Sequence, residues 1–352
     1  MSDLVRFGVL GCADIAWRRT IPAVLAHPWT TLTCVASRDP ARARRFAAHF
    51  GCGATDYAGL LARDDVDAVY VPLPPSLRRR WGWAVLDAGK HLLLEKPLAT
   101  NEADARDLVR AARVNRRLLR ENFMFLHHPQ HDAVRRVLIE GRIGPLRAFD
   151  SAFCIPPLAA DNIRYRRDLG GGALLDLGVY PLRAAQMLLG SGLRVAGAAL
   201  RVAPAAGVDP AAGVDVAGRV TLVSADDVLA SIGFGFEHAY GSHYLLWGSE
   251  GRLRLDRAFT PPAEYRPVLH VSGRDTDEAL VLDAGDQFLR AVGAFAGAVL
   301  AGRTAADAVE ERWCADAVET LRLTDDVRRC AVTVTAGQPS GAPATSTEFA
   351  GV

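Results

Sequence analysis

The stretch Gly8-Val9-Leu10-Gly11-Cys12-Ala13-Asp14-Ile15-Ala16 decides the fold, because it joins an apolar run from Leu4 to a helical pattern that continues to about His27. Its core, Gly11-x-Ala13-x-x-Ala16, is a degenerate form of the dinucleotide-binding fingerprint. In that fingerprint the first glycine makes a tight turn, the second position lets the backbone approach a pyrophosphate, and the third lets the helix pack on the strand. Alanine at the second position weakens the signal. This stretch alone therefore fits a plain strand-to-helix turn equally well.

The segments that follow alternate between strand-like and helix-like patterns. The predicted strands cover residues 31–37, 67–71, 91–95 and 118–123, and the predicted helices between them cover 40–50, 76–88 and 101–116. Strands that alternate with helices through short links are typical of a parallel, doubly wound sheet. We therefore predict an α/β Rossmann domain that binds a dinucleotide over residues 1–121.

The end of the second predicted strand bears on the choice between NAD and NADP. An NAD site usually has an acidic residue here for the ribose 2′-hydroxyl, whereas a 2′-phosphate requires a hydroxyl and an arginine. Ser37 and Arg38 supply both groups. Asp39 precedes Pro40, which is the pattern of a helix N-cap followed by proline at the first helical position. The sequence therefore predicts NADP(H) as the cofactor.

Lys96 is unusual because it and Lys90 are the only two lysines in a chain that otherwise carries arginine. An arginine stays protonated at any working pH, whereas a buried lysine can shift its pKa and exchange a proton. The apolar run from His91 ends at Glu95, before Pro97, and predicts a buried parallel strand. Ligands of such sheets bind just beyond the carboxyl ends of the strands. Lys96 is therefore a candidate proton donor, and we assign no such role to Lys90.

The pattern changes after about residue 122. A predicted helix over residues 130–140 is followed by strand patterns over 146–154, 195–202, 216–223, 228–236, 243–247, 252–255 and 268–271. Strands that succeed one another through short polar turns predict an antiparallel or mixed sheet, and hence an α+β domain over residues 122–330. Helical periodicity covers 286–302 and 305–329. The stretch from Gly337 is of low complexity, and we predict a disordered tail over residues 331–352.

A glycine-rich motif lies in the second half: Gly170-Gly171-Gly172, then Asp176 and Tyr180, shortly after Arg164. Asp176 and Tyr180 are four residues apart, so they share one face of a predicted helix. The glycine triplet lets another backbone or a ligand come close. An ordinary helix start, with an acidic residue favoured by the helix dipole, explains the same spacing equally well.

The histidines at positions 127, 128 and 131 are the candidate metal ligands. His127 and His131 have helical i,i+4 spacing, but Pro129 lies between them and no carboxylate lies at a recognisable ligand spacing. We therefore predict no metal site and expect loop histidines that line a cleft. The six cysteines include no CxxC pair, which argues against a zinc ribbon, a redox pair or a disulfide framework.

Charge and hydropathy limit the partners of the protein. The 41 basic and 40 acidic residues nearly cancel, which argues against a nucleic acid or a membrane surface as the partner. The longest uncharged apolar run covers residues 291–302, which is 12 residues, below the ~18–20 needed to span a bilayer. The first residues contain no secretory apolar segment. We therefore expect a cytoplasmic protein.

Four segments together resemble the Gfo/Idh/MocA family of oxidoreductases: GVLGCADIA, VASRD, AGKHLLLEKPLAT and GGGALLDLGVYP. The resemblance covers nearly the whole chain, to about Arg329. Further segments, GCADIAWRR, ENFMFLHHPQH, FEHAY and FTPPAEY, resemble the nucleotide-sugar 3-ketoreductases of antibiotic deoxysugar pathways within that family. The resemblance implies a Rossmann domain, a C-terminal α+β domain with a large open, mostly antiparallel sheet, and use of NADPH. It also implies a homodimer or homotetramer joined through that sheet.

The resemblance also implies roles for individual residues. The cofactor is expected to lie among Gly11, Cys12, Ala13, Asp14, Ile15, Ala16, Ser37, Arg38, Tyr57, Leu73, Glu95, Arg164 and Asp176. Lys96 and Tyr180 are expected to face the reacting carbonyl of the substrate. Relatives often have histidine in place of Arg78, so no cofactor contact is carried over there. Many sugar dehydrogenases of the family have histidine in place of Tyr180, so a histidine-based oxidation does not carry over.

The expected activity is the NADPH-dependent reduction of the C3 ketone of a deoxyhexose linked to a nucleotide, dTDP above all. Tyr240 and Thr260 are further candidates for binding this substrate, although a place in the sheet core or in a subunit contact fits them equally well. One alternative is a dehydrogenase of free sugars such as xylose, or of trans-dihydrodiols. A non-catalytic sensor that binds NADP is an alternative from another class, because a fold alone proves no chemistry.

Overall fold

The structure is a computed structural model that describes residues 4–203 and 213–335. Its strands, β1 to β15 in chain order, are Val5–Leu10, Thr30–Ala36, Gly53–Thr55, Ala68–Val71, His91–Glu95, Leu119–Asn122, Leu146–Cys154, Arg194–Ala203, Val214–Val223, Leu229–Gly235, Gly241–Gly248, Gly251–Asp256, Val268–Gly273, Asp277–Val281 and Val332–Thr335. Its α-helices, α1 to α9, are Ile21–Ala26, Pro40–Phe50, Tyr57–Leu61, Pro75–Asp87, Glu102–Val114, Gln130–Ile139, Val179–Leu189, Gln287–Leu300 and Ala308–Cys330. Short 3₁₀ turns cover Met124–His127, Ile163–Tyr165 and Arg167–Leu169, and single π-helical turns cover Ala16–Thr20 and Leu174–Gly178.

The first sheet confirms the predicted parallel, doubly wound fold. Its strand order is β3-β2-β1-β4-β5-β6, and every neighbouring pair is parallel. The order reverses on either side of β1, and ligands of such sheets bind at the carboxyl ends of the strands beside that reversal. The strands β4 and β5 are almost wholly buried, which explains their uninterrupted apolar runs. The sequence patterns missed the short elements β3 and α3.

The second sheet confirms the large open, mostly antiparallel architecture. Its order is β14-β13-β12-β11-β7-β10-β9-β8-β15, and only the pairs β7–β10 and β8–β15 are parallel among the described strands. Buried and less buried residues alternate along β9 and β11, so one face of the sheet packs on the core. The strand β14 was not predicted.

The predicted disordered tail is wrong at its start. Val332–Thr335 form the edge strand β15, which pairs with β8. The run Val-Thr-Val-Thr alternates apolar and polar residues, but it is only four residues long and exposed, and its pairing partner β8 lies far away in the sequence. The rest of the predicted tail, 336–352, lies outside the described residues.

The last two α-helices return to the first sheet. Phe295 on α8 packs on Phe7 of β1, with ring centroids 5.7 Å apart. The buried guanidinium of Arg120 on β6 donates to both carboxylate oxygens of Glu310 on α9. By sequence, α8 and α9 belong to the predicted second domain, yet they pack on the first sheet. The predicted domain boundary at residue 121 stays a prediction. Within the described ranges, none of the helices has the length and apolarity required to cross a membrane.

Candidate active site

The dinucleotide fingerprint forms a tight turn between β1 and the π-helical turn that precedes α1. Gly11 has a φ of 121°, a left-handed value that favours glycine, and a Cβ there would lie 2.8 Å from Leu73 Cδ2. Leu73 follows β4, so the structure brings this predicted residue against the turn. The other predicted residues of the turn are buried Cys12 and Ala16, half-buried Ala13 and Ile15, and exposed Asp14. The small residues keep the backbone of the turn accessible, as a pyrophosphate requires.

Ser37 and Asp39 shape the start of α2. Ser37 is buried at the end of β2, and its Oγ accepts a hydrogen bond from Asp39 N at 3.2 Å. The Asp39 carboxylate accepts a hydrogen bond from Ala41 N at 2.9 Å, which confirms it as the N-cap. Asp39 is therefore engaged in its own helix, and the end of β2 presents no other acidic group before α2.

Positive charge collects beside Ser37. Burial raises the pKa of Tyr57, and the Arg38 guanidinium lies close enough to oppose that rise. Arg42, one turn further along α2, acts on the same pKa. Neither arginine forms an ion pair with an acidic residue within the described parts of the chain. The sequence argument missed Arg42, because an exposed arginine on a helix carries no local signal of function.

Glu95 ends β5 inside a buried hydrogen-bond network. Its Oε1 accepts hydrogen bonds from Tyr70 Oη at 2.6 Å and from Asn122 Nδ2 at 2.7 Å. Thr20 Oγ1 donates to Tyr70 Oη at 3.1 Å, which ties the network to the helical segment after the fingerprint. Burial, reinforced by Glu95, raises the pKa of Tyr70 well above its usual value, so the phenol keeps its proton and donates. Neighbouring strands therefore fix the orientation of the Glu95 carboxylate.

Lys96, Asp176 and Arg164 form a chain of ion pairs. Lys96 Nζ donates hydrogen bonds to the main-chain oxygen of Asp176 at 2.6 Å and to its Oδ1 at 2.9 Å. Arg164 Nε donates to Asp176 Oδ2 at 2.6 Å. Burial lowers the pKa of Lys96, and the Asp176 carboxylate opposes that shift. Burial alone would raise the pKa of Asp176, but Lys96 and Arg164 hold it well below the ordinary range.

The glycine triplet positions Asp176. A Cβ at Gly171 would clash with the main-chain oxygen of Arg164, and a Cβ at Gly172, whose φ is 119°, would clash with the carboxylate of Asp215. Asp215 Oδ2 accepts a hydrogen bond from Leu174 N at 2.5 Å, at the start of the π-helical turn that carries Asp176. The absence of side chains at Gly171 and Gly172 therefore lets the main chain of Arg164 and the carboxylate of Asp215 approach closely. The sequence argument missed Asp215, which reads as one polar residue of the strand β9.

Tyr180 lies in an aromatic pocket beside Lys96. Lys96 Nζ is 4.8 Å from the centroid of the Tyr180 ring. Burial, reinforced by nearby carboxylates, raises the pKa of Tyr180 well above its usual value, so the phenol stays protonated. Its Oη donates only to the sulfur of Met124, at 3.7 Å, and a thioether is a weak acceptor. The surrounding rings, with centroids 5.0–5.8 Å away, are Phe123, Phe125, Phe153 and Phe259.

Two buried charged residues support the loop after β5. Arg78 Nε donates to Leu73 O at 2.8 Å and its Nη1 donates to Pro97 O at 2.7 Å. Glu121 Oε1 accepts a hydrogen bond from Leu98 N at 2.7 Å, and burial raises the pKa of this carboxyl to about 7. Arg78 thus holds two loops of the site through main-chain oxygens. The sequence argument missed Glu121, because its loop partner lies 23 residues away.

Tyr240 and Thr260 lie together beside the aromatic pocket. Tyr240 Oη and Thr260 Oγ1 are 3.1 Å apart. Tyr240 is 44% exposed, which excludes a place in the sheet core. Thr260 directly follows Phe259, whose ring centroid is 5.6 Å from that of Tyr180. Thr260 thus lies one residue from a ring that packs on Tyr180, and the Tyr240 side chain is open to solvent.

The three histidines are not arranged as a metal site. His131 Nδ1 is 2.9 Å from Tyr244 Oη, and the His127 ring stacks on Trp313. Burial lowers the pKa of His131 to about 3 and that of His128 to about 4. Both residues are buried, so the expectation that they line a cleft is wrong for them. Across the described residues, no group of three or more histidine, cysteine or acidic side chains is placed to hold a metal ion.

The arrangement has the parts required for proton transfer to an oxyanion. A buried ammonium and a neutral phenol lie side by side at the carboxyl edge of the dinucleotide-binding sheet. An ammonium stabilises developing negative charge on oxygen, and either group can donate a proton. The same edge of the sheet carries the turn of the dinucleotide fingerprint. It suits reduction of a carbonyl or the reverse oxidation of an alcohol.

Comparisons with known proteins agree with this geometry. Residues 5–123 match the family model described as oxidoreductase family, NAD-binding Rossmann fold, and residues 131–254 match the GFO/IDH/MocA C-terminal domain. The chain is 49% identical over 328 residues to dTDP-3,4-didehydro-2,6-dideoxy-alpha-D-glucose 3-reductase from Actinomadura kijaniata, covering 93% of this chain and 96% of that protein. It is 51% identical over 303 residues to the enzyme of the same name from Saccharopolyspora spinosa, covering 86% of this chain and 90% of that protein.

A solved structure extends the likeness to three dimensions. The crystal structure of a 3-ketoreductase from Actinomadura kijaniata, in complex with NADP and TDP-benzene, superposes with a TM-score of 0.89 at 47% identity. The match covers 95% of this chain and 100% of that chain. The likeness thus extends over both sheets. The chain belongs to the Gfo/Idh/MocA family of oxidoreductases.

Proposed function

We propose that this protein is an NADPH-dependent reductase of the C3 ketone of a dTDP-linked deoxyhexose, an oxidoreductase of deoxysugar biosynthesis. The chain of ion pairs from Lys96 through Asp176 to Arg164, beside Tyr180, is the observation that carries the proposal. The names of the relatives from Actinomadura kijaniata and Saccharopolyspora spinosa describe this reaction, and their similarity extends over both domains.

The residues around the fingerprint fit NADPH. A Cβ at Gly11 would lie 2.8 Å from Leu73 Cδ2, so only glycine keeps this turn tight against the loop after β4, as the first glycine of a dinucleotide fingerprint does. Arg38 and Arg42 offer positive charge next to the Ser37 hydroxyl, which suits a 2′-phosphate. Tyr57, Leu73 and Glu95 complete the proposed cofactor site. NADPH, when bound, supplies the hydride.

The side chains of the protein supply the rest of the chemistry. As the carbonyl carbon becomes tetrahedral, its oxygen gains negative charge, which the Lys96 ammonium stabilises. The oxygen then takes a proton from Lys96 or from Tyr180. The aromatic rings around Tyr180 exclude water, so these interactions act in a low local dielectric. Asp176 orients Lys96 through two hydrogen bonds.

A nucleotide-linked sugar suits the open side of the site. A free sugar offers a small polar target, whereas a nucleoside diphosphate adds remote binding energy that can position the ketone. The exposed Tyr240 lies on this side, and its partner Thr260 directly follows Phe259, which packs on Tyr180. We assign this pair, with Lys96 and Tyr180, to the substrate.

We also propose a homodimer or homotetramer joined through the open face of the second sheet. That face carries the exposed side chains of Leu229, Trp247 and Val281 on three different strands. Sedimentation velocity at several protein concentrations measures the oligomeric state directly.

We place the enzyme in the cytoplasm, because all six cysteines are free and a reducing compartment keeps them so.

One assay tests the proposal against both alternatives. The ketosugar is generated in place by the upstream dehydratase, since such ketones are unstable, and the loss of NADPH is followed by absorbance. We expect turnover of the dTDP-linked ketosugar at a higher kcat/KM than oxidation of xylose or of a trans-dihydrodiol. A higher kcat/KM for either of those would favour a dehydrogenase, and NADPH binding without turnover of any ketosugar would favour a sensor.

A further inference from the structure

Arg257 directly follows β12 and lies between two tyrosine rings. Its guanidinium carbon is 5.5 Å from the centroid of the Tyr240 ring and 5.4 Å from that of the Tyr265 ring. Planar guanidinium groups stack on aromatic faces, which fixes their orientation without neutralising their charge. The two rings therefore hold an exposed positive charge in one place.

Two further features of Arg257 bear on its role. Its φ is 48°, in the left-handed region that arginine adopts only at a cost. It makes no ion pair with an acidic residue in the parts of the chain that the structure describes, whereas the neighbouring Arg254 pairs with Asp256 at 3.0 Å. Backbone strain of this kind concentrates at ligand-binding sites. Arg257 thus presents its charge outward.

The segment that carries Arg257 is fixed against the proposed active site. Ala258 N donates to Ser242 O at 2.9 Å, and Phe259 N donates to Ser242 Oγ at 3.1 Å. Phe259 packs on Tyr180, and Thr260 pairs with Tyr240. Residues 257–260 therefore connect Arg257 to the pocket around Tyr180, where the carbonyl is proposed to react. A ligand that reaches from the pocket around Tyr180 to Arg257 would place its sugar ring in the pocket and a negatively charged group beside Arg257.

We propose that Arg257, held between Tyr240 and Tyr265, binds the diphosphate of a nucleotide-linked substrate. The inference rests on the proposed function, because it names the group that anchors that substrate. A guanidinium can donate two parallel hydrogen bonds to phosphate oxygens, and stacking leaves its N–H edges free for them. The diphosphate of a nucleotide-sugar directly adjoins the sugar. Arg257 lies two residues before Phe259, whose ring packs on Tyr180.

Calorimetric titration with thymidine diphosphate, in the presence of saturating NADP, tests the assignment without turnover. Arg257→Asn removes the guanidinium and supplies a residue that tolerates the left-handed backbone, so the fold is kept. We expect the Kd for thymidine diphosphate to rise about 10- to 100-fold, with an unchanged Kd for NADPH. Arg254→Asn is the matched control, because it removes one positive charge only three residues away, and we expect its Kd for thymidine diphosphate to stay within about two-fold of the wild type.

A second pair of variants tests the role of stacking. Tyr265→Phe keeps the ring and should leave the Kd for thymidine diphosphate unchanged, whereas Tyr265→Leu removes the ring and should raise it about two- to five-fold. Equal Kd values for wild type and Arg257→Asn would overturn the assignment, and so would the absence of thymidine diphosphate binding to the wild type. A change in oligomeric state without a change in Kd would assign Arg257 to a subunit contact and also overturn it. Arg257-dependent binding in an enzyme that reduces no ketosugar would leave the anchor standing and refute the proposed reaction.

Discussion

Replacing Lys96 with methionine should slow the proposed reduction more than replacing Tyr180 with phenylalanine. Methionine keeps the length and most of the apolar stem of Lys96, so the packing on the Tyr180 ring survives while the charge is lost. Removing one preformed donor to an oxyanion costs about 2.7–4 kcal/mol. The low exposure of the Lys96 side chain, 12%, favours the upper part of that range. We therefore expect kcat to fall about 100- to 1000-fold.

Tyr180→Phe should cost much less. The phenol is a neutral donor, and a neutral hydrogen bond contributes about 0.5–1.5 kcal/mol. Lys96 also remains able to give the proton in this variant, because both groups act on the same oxygen in the proposed site. The expected loss in kcat is therefore about 10-fold or less. The two variants separate the stabilisation of negative charge from the donation of the proton.

The assay compares single-turnover rates of NADPH oxidation with the in-place ketosugar, and fluorescence titration checks that both variants still bind NADPH. Lys90→Met is the matched control, because it removes the other lysine of the chain. Lys90 Nζ donates to Arg63 O at 2.6 Å and to Val66 O at 3.0 Å, so its loss should lower Tm and leave kcat unchanged. A loss of several thousand-fold for Tyr180→Phe beside a mild effect of Lys96→Met would reverse the assigned roles.

Three further predictions concern the cofactor, the proton and the glycine triplet. Arg38→Ala should raise the KM for NADPH about 10- to 100-fold with little change in kcat, and equal wild-type kcat/KM values for NADH and NADPH would refute that reasoning. Asp176→Asn removes the carboxylate that opposes the burial-driven fall in the pKa of Lys96, so Lys96 should lose its proton at a lower pH. The alkaline limb of the kcat–pH profile, where the rate falls as the acid is lost, should then move to lower pH; an unmoved limb would remove Lys96 as the titrating group. Gly172→Ala should lower the free energy of unfolding by about 1–3 kcal/mol in urea titrations, because its Cβ displaces Asp215, and an unchanged midpoint would show that the loop relaxes freely.

Local patterns predicted the first sheet well, because each of its buried strands carries its own signal. The apolar run of β5 is bounded by Gly89 and Pro97, and the predicted strand matches His91–Glu95 at both ends. Three missed strands show where such signals fail. β3 is three residues long, and the edge strands β14 and β15 are short and bury none of their side chains, so their sequence carries only a weak strand signal. Their pairing is decided by neighbours that the local sequence does not contain.

The same distinction applies to the site. Lys96 could be singled out from its place after a strand, and Gly11 from its place in a turn, since both signals lie within a few residues. The pairing of Lys96 with Asp176 joins residues 80 positions apart, so no spacing in the sequence indicated it. The roles of Asp215 and Arg257 depend on where distant strands place them in the second sheet. Resemblance to a family indicated that Asp176 belongs to the site, and the side-chain contacts of the structure revealed the pairing and the positions of Asp215 and Arg257.

The two cations on Asp176 explain why one of them is a lysine. Arg164 stays protonated at any working pH, so it keeps the Asp176 carboxylate compensated whatever the state of Lys96. When Lys96 gives up its proton in the proposed reaction, the carboxylate is therefore not left buried without a partner, which would cost several kcal/mol. An arginine at position 96 would hold the same carboxylate but could not release a proton. A lysine without Arg164 would be held too strongly by Asp176 to release one readily. The chain of three charged groups thus stabilises the site in both protonation states of Lys96.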